Sequence, residues 1–384
     1  MDFRFSEEQE QFRDTVRRFA RSELAPYYRE GDHTKAFPHR QLAAMAELGL
    51  TGLRIPEAWG GSLQPCLVSG IAAEEVARAD FNCGYFVEQN AFLGELLWRF
   101  GSPQLQERYL PGMANGSLVM GIALTEPAVG SDAANLTTRA VREGDVYVLS
   151  GEKTSVSFAG AMDACVVFAK TDPRAGARGI SAFVVRSEWD GVRRTVLPSI
   201  GSKCLLRGTL VLDGVRVPRD HLIGEEGKGF YMIMSGFDYA RALIALMCIG
   251  CAMQSLEETM QYVKERHAFG RPIAKFEGVQ FPIAEDYTLL EAARLLSYRC
   301  LWLKDEGLPH TKEASMCKWW APKLAVEVIH HCLLLHGHYG YVEDMPFDQR
   351  LRDVMGLEIG DGTAQIQKIV VARELLGREF LPYR

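Results

Sequence analysis

The sequence predicts an α+β chain in three parts: a helical domain over residues 1–118, an antiparallel β sheet or barrel over 119–228, and a second helical domain over 229–384. Two observations predict it. Apolar residues recur every three or four positions toward both ends, and the period falls to two in the centre, where Gly, Pro and Asp break the chain into short β-branched segments. The bulk properties agree: 384 residues with 47% hydrophobic and 24% charged side chains supply several cores of a globular protein. A formal charge of −6 gives no basic stripe for nucleic acid. No apolar run of the roughly 18–20 residues that span a bilayer is expected. The opening MDFRFSEEQEQF resembles neither a signal nor a transit peptide. A bacterial cytoplasmic location is therefore expected.

In the first part, SEEQEQFRDTVRRFARSEL carries helical spacing, with Ser6 as N-cap and Gln9 three residues on. LAAMAELGL, VSGIAAEEVARAD and NAFLGELLWRFG follow, separated by the turn clusters PEAWGGS and GSPQ. VYVLSGEK, ACVVFAKTD, ISAFVVRS, RRTVLPSIG and GTLVLDGVRVP read as strands, at a spacing that suits hairpins and not βαβ units. Long helices return from Gly229: one to about Phe269, one from Val279 to Gly307, one from His310 to Gly337, and one from Thr363 to Phe380.

Nine cysteines, an odd number set in apolar segments, favour buried thiols over disulfides. Cys248 and Cys251 form a C-x-x-C, but inside the helical run ALIALMCIGCAMQSL, where packing is the expected role. His330, His331, His336 and His338 lack the acidic or cysteine partners of a metal site, so no metal is expected. A G-x-G-x-x-G after a strand, a P-loop, G-x-S-x-G and H-E-x-x-H are all absent.

Four segments are richer in Gly, Ser, Thr and acid than packing requires. Leu124–Asp132 (LTEPAVGSD) could hold a carbonyl-rich ring or a phosphate on amides near Gly130 and on the Ser131 hydroxyl, or be a plain turn. Asp238 and Arg241, three apart on a long helix, could pair internally or serve a ligand with amide and phosphate groups. Arg266–Pro272 (RHAFGRP) ends a helix at Gly270 and could meet a pyrophosphate or simply be solvated charge. In Gly356–Gln367, Asp361 lies between two glycines just before a helix, where the helix dipole would keep it anionic, although an acid in a first turn is common.

Taken in order, these segments with RIPEAWGG, VLSGEK, LVLDGVRVPRDHLIGEEGKGF, HGHYGYVEDMPFDQRLRD and ARELLGREFLPYR resemble the acyl-CoA dehydrogenase family over essentially the whole chain. The resemblance implies a four-helix-bundle-like C-terminal domain, FAD as cofactor and usually a homotetramer. It also implies removal of a proton from the α-carbon of a CoA thioester, with hydride passing from the β-carbon to flavin N5 and electrons leaving to electron-transferring flavoprotein. By position, Leu124, Thr125, Gly130 and Ser131 would line the flavin, and Ser131 would also approach CoA. Ser155, Val156 and Ser157 would edge the ring. Arg266 and Phe269 would contact FAD, that of a neighbouring subunit. Glu277, Leu334, Gly337, His338, Thr363 and Gln365 would take the remaining cofactor contacts. Asp238 and Arg241 would bind the CoA arm, and Gly362 would lie near the thioester.

The departures are informative. Asp361 stands where the family motif Tyr-Glu-Gly-Thr has its catalytic glutamate, and Ala240 fills the alternative base position, so Asp361 is the expected base. Aspartate withdraws the carboxylate by roughly 1.3–1.5 Å, and a misplacement of about 1 Å can cost on the order of 100-fold in rate. Ser155–Ala159 replaces the usual Trp-Ile-Thr-Asn-Gly; Glu277 and Leu334 replace glutamines, and His338 a glycine. A compact cyclic or α-branched thioester such as cyclohexane-1-carboxyl-CoA is the expected substrate. The alternatives are a straight short-chain acyl-CoA, a nitroalkane-oxidase-like reaction using Asp361 without CoA, and a non-catalytic scaffold.

Overall fold

A computed structural model describes residues 4–382. Six helices come first: α1 (Glu7–Phe19), α2 (Tyr28–Thr34), α3 (His39–Glu47), α4 (Cys66–Ala79), α5 (Phe81–Phe100) and α6 (Pro103–Ala114). Ser6 accepts from the Gln9 amide and the Gln9 side chain answers to the Ser6 amide, the capping box that the spacing predicts. Between α4 and α5, Asp80 caps α5 through the amides of Asn82 and Cys83. Most of α4 and α5 is buried, so neither carries a simple polar face.

The central sheet contains β1 (Met120–Ala123), β2 (Arg139–Glu143), β3 (Val146–Val156), β4 (Ala164–Lys170), β5 (Ile180–Arg186), β6 (Val192–Val196), β7 (Gly208–Pro218) and β8 (Leu222–Ile223). Its order is β6-β7-β3-β2-β4-β5-β8, with β1 also on β4. It is mixed where a purely antiparallel sheet was expected. β4 runs parallel to β1 over four residue pairs and to β2 at one. The apolar runs ACVVFA and ISAFVV are buried on both faces, because one face of β4–β5 meets the sheet interior and the other meets α5, α6 and α7.

The last part holds α7 (Gly229–Glu265), a two-stranded hairpin of β9 (His267–Ala268) and β10 (Arg271–Pro272), then α8 (Glu277–Asp305), α9 (Thr311–His336), α10 (Phe347–Ile359) and α11 (Ala364–Leu376). The helix α10 is an element the period analysis did not separate. By length and apolarity α7 would pass as a membrane span, contrary to expectation, but 83% of its most apolar window is buried in protein. Hydrophobic residues all around a helix mark the centre of a large core. It packs on α4, α5, α8 and α9 and places Asp238 and Arg241 deep in the molecule. All nine cysteines are buried and unpaired.

Candidate active site

Asp361 sits on the four-residue turn between α10 and α11. Its backbone is left-handed (φ 55°), as is that of Gly362 (φ 97°). Aspartate tolerates this region better than most residues. At position 362 that backbone would strain any side chain, and a Cβ there would also displace the Gln367 amide, so glycine is favoured. Three groups brace the turn through its main chain. Arg241 Nε and Gln367 Nε2 each donate to the Asp361 carbonyl at 3.3 Å, and Lys318 Nζ donates to the carbonyls of Leu357 (2.5 Å) and Gly362 (3.3 Å). Thr363 caps α11 through the Ile366 amide.

The Asp361 carboxyl has no hydrogen bond among the described residues. Burial raises its pKa, and the charges of Lys318, Arg241 and Arg207 oppose that rise without cancelling it. Burial in turn pushes Lys318 down to about 8, with Asp361 resisting. Arg241 pairs with Asp238 at 2.8 Å, and Thr311 Oγ1 donates to the second Asp238 oxygen at 2.6 Å. Asp238, Arg241, Asp361, Gly362 and Thr363 therefore form one connected cluster.

A second group lies on the β domain. Leu124 and Thr125 follow β1, and the Thr125 carbonyl accepts from the Thr154 amide at 2.9 Å, holding this loop against the end of β3. Glu126 and Val129 exchange backbone hydrogen bonds, which turns Gly130 and Ser131 outward. Glu126 anchors the loop. Its oxygens accept from the amides and hydroxyls of Thr137 and Thr138 and from Lys153 Nζ at 2.9 Å. Burial alone would raise the Glu126 pKa, but these bonds hold it down to about 2. Burial takes Lys153 down to about 8.

Ser155 is left-handed (φ 56°) and exposed, Val156 is buried, and Ser157 is half-buried. The hydroxyls of Ser131, Ser155 and Ser157 have no intramolecular partner among the described residues, and the space around Gly130 is open. Free hydroxyls and an open glycine beside a rigid turn suit a flat, carbonyl-rich ring. FAD fits this donor set.

Arg266 and Phe269 follow the end of α7, Glu277 opens α8, and Leu334, Gly337 and His338 lie at the end of α9; the stacked Tyr262 and His336 rings, 4.1 Å apart, join those ends of α7 and α9. All six are exposed; Phe269, left-handed at φ 51°, is 94% exposed and Leu334 59%. Gln365 is exposed near the start of α11. These outer residues share no hydrogen bond with the Asp361 cluster among the described residues.

Sequence reasoning missed Glu126, Lys153, Lys318, Arg207 and Glu88. A charge isolated in an apolar helical run was the available signal for Lys318 and Glu88.

Profiles of the acyl-CoA dehydrogenase N-terminal, middle and C-terminal domains match residues 6–117, 121–215 and 227–376. The chain belongs to the acyl-CoA dehydrogenase family. It is an FAD-dependent oxidoreductase acting on the CH–CH bond of an acyl-CoA. It is 36% identical over 377 residues to a 3-(aryl)acrylate reductase of Clostridium sporogenes, covering 97% of this chain and 99% of that one. A mitochondrial short-chain specific acyl-CoA dehydrogenase of Rattus norvegicus is also 36% identical, over 96% of this chain and 90% of its own length. Butyryl-CoA dehydrogenase of Megasphaera elsdenii superposes with a TM-score of 0.94 at 32% identity, covering 98% of this chain and all of that one.

Proposed function

We propose that this acyl-CoA dehydrogenase acts on a compact acyl-CoA thioester and that Asp361 takes the α-proton. The supporting observation is the division of labour at the Asp361 turn: its carbonyl is bound and its carboxyl is free. A base must reach the C–H without first breaking a strong bond of its own. Burial makes Asp361 a stronger base than a solvated aspartate, and the surrounding cations keep the ionised form available.

Bound FAD supplies the hydride acceptor. The hydroxyls of Ser131, Ser155 and Ser157 and the loop at Leu124–Gly130 would hold the ring, and Arg266, Phe269, Glu277, Leu334, Gly337, His338, Thr363 and Gln365 would serve its remaining parts, the exposed ones within a homotetramer. Asp238 and Arg241 would line the CoA arm. Arg241 would serve by setting the Asp361 turn, since its guanidinium is already divided between Asp238 and that turn. Electron-transferring flavoprotein is the proposed acceptor and the cytoplasm the proposed location.

The relatives' names favour a straight short acyl group over the cyclic one expected from the sequence, for which the aspartate is the main support. Anaerobic flavin reduction by butyryl-, hexanoyl- and cyclohexane-1-carboxyl-CoA decides between them. Fastest bleaching by butyryl-CoA is expected; fastest bleaching by the cyclic ester would restore the cyclic reading. No bleaching by any ester, with turnover of nitroethane in air, would replace the acyl-CoA reading altogether.

A further inference from the structure

A hollow of about 240 Å³ opens between the end of α1, α2, α4, α7 and α10. No residue that lines it belongs to the Asp361 cluster or to the groups assigned to FAD. Five arginines face it, Arg17, Arg21, Arg29, Arg78 and Arg350, against two acids, Glu75 and Glu258. Arg78 and Arg350 are buried, Arg17 and Arg29 half-buried and Arg21 exposed, so the cations run from its floor to its mouth. The local sequence explains the mouth. Pro26 has no amide to donate and cannot continue α1. The chain instead makes one π-helical turn, Ala20–Leu24, closed by the Ala25 amide on the Ala20 carbonyl. Such wide turns recur at functional sites, and this one carries Arg21.

Four of the guanidiniums are held by acids. Arg17 grips Glu75 through Nε and Nη2 at 2.8 and 2.6 Å, and Arg350 grips Glu258 through Nη1 and Nη2 at 2.6 and 2.9 Å. Arg78 Nη2 donates to Glu257, and Arg29 Nη1 to Asp348 at 2.8 Å. These bonds fix the forks but leave Arg17 Nη1, Arg78 Nη1 and Arg350 Nε without a partner among the described residues, and none of the three is sealed from solvent. Arg21 has no hydrogen bond or ion pair among the described residues. Five arginines against these four acids therefore leave one cation uncompensated. Cations facing one hollow repel each other, and an anion between them relieves that cost. A planar carboxylate is served by a single fork, whereas a phosphoryl group takes N–H donors arriving from several directions. The hollow is smaller than the roughly 300–1,000 Å³ of drug-sized ligand sites, so it suits a phosphate with little attached. We propose that this hollow is a phosphate-binding site, for inorganic phosphate or a small phosphate monoester, in which Arg21 completes a cradle begun by Arg17, Arg78 and Arg350.

Calorimetric titration of the oxidised holoenzyme at constant ionic strength tests this with inorganic phosphate, glycerol 3-phosphate and acetate. Both phosphates are expected to bind at least about 10-fold tighter than acetate, because only they engage several forks at once. They should also raise the Tm as the site fills, since a ligand of the native state alone stabilises it. Arg21→Ala should weaken phosphate binding at least about 10-fold, and Arg21→Lys should recover only part of it, because an ammonium keeps the charge and loses the fork. Tighter glycerol 3-phosphate would support the site as one for a monoester; tighter inorganic phosphate would support it as one for the free ion. No saturable binding by the wild type, acetate binding as tightly as phosphate, or phosphate binding unchanged in Arg21→Ala would overturn the inference and leave the five arginines as structural ion pairs.

Discussion

Arg241 holds Asp361 by its backbone and not by its side chain: Nε donates to the carbonyl at 3.3 Å, while Nη1 stays on Asp238 at 2.8 Å. The cation thus fixes where the acid stands without neutralising it through a direct ion pair. A salt-bridged aspartate would be a poor base, because its pKa falls when a cation binds the carboxylate itself.

Replacing the acid with its amide isolates the proton-transfer role. Asp361→Asn should keep the turn and bind FAD with an unchanged visible spectrum, yet lose about 10²–10⁴-fold in flavin reduction by substrate, the usual worth of a general base. Stopped-flow absorbance measures it, and reduction at the wild-type rate would move the base elsewhere.

The pH dependence follows from the raised pKa. Asp361 works ionised, so the rate of reduction should rise with pH through the pKa of Asp361 and lie above the range of a solvated aspartate. Asp361→Asn should flatten that limb; an unchanged profile in the variant would assign the ionisation to another group.

Loss of Asp238 should act through Arg241. Asp238→Ala strands a buried guanidinium and the Thr311 hydroxyl, at a cost of about 3–5 kcal/mol in stability. Thermal unfolding gives the first number and KM for the acyl-CoA the second, which should rise. A variant as stable as the wild type would mean that Arg241 had found another anion.

On the β domain, Glu126→Gln should weaken FAD retention by loosening the loop that presents Gly130 and Ser131, while Lys153 loses its buried counter-charge. Its linkage has a definite sign. The depressed Glu126 pKa contributes stability above the ordinary value near 4.5, which is lost as pH falls toward about 2. The Tm gap between wild type and variant should therefore narrow in acid, as calorimetry at pH 7 and pH 3 can read.

Asp353 carries the opposite sign. It accepts from Tyr28 Oη at 2.8 Å, Asn82 Nδ2 at 3.1 Å and the Ser202 amide at 2.5 Å, joining α2, α5 and α10. Burial raises its pKa to about 6, so its proton-linked stability is complete below about 4 and fades as pH rises through 6. The advantage of wild type over Asp353→Asn should be greater at pH 4.5 than at pH 7 in denaturant titrations.

Much of the fold was legible because period and punctuation are local. The Ser6–Gln9 cap, the strand segments and α7 could be read from neighbouring residues alone. The parallel pairing of β1 with β4 could not, since register between strands over 40 residues apart leaves no local trace. The separate helix α10 lay between two long periodic stretches, in segments read for their motifs and not for their period. At the site, Asp361 and the Asp238–Arg241 pair stood out by spacing. Glu88, Arg207 and Lys318 come from three other elements, and only the tertiary fold brings their charges to Asp361.

The nine enclosed sulfurs leave a chemically quiet exterior. Burial raises the ionisation threshold of most of them, including Cys248 and Cys251. Maleimide dyes or spin labels should therefore ignore the native protein, and a cysteine engineered at any solvent-facing site would become its sole point of attachment.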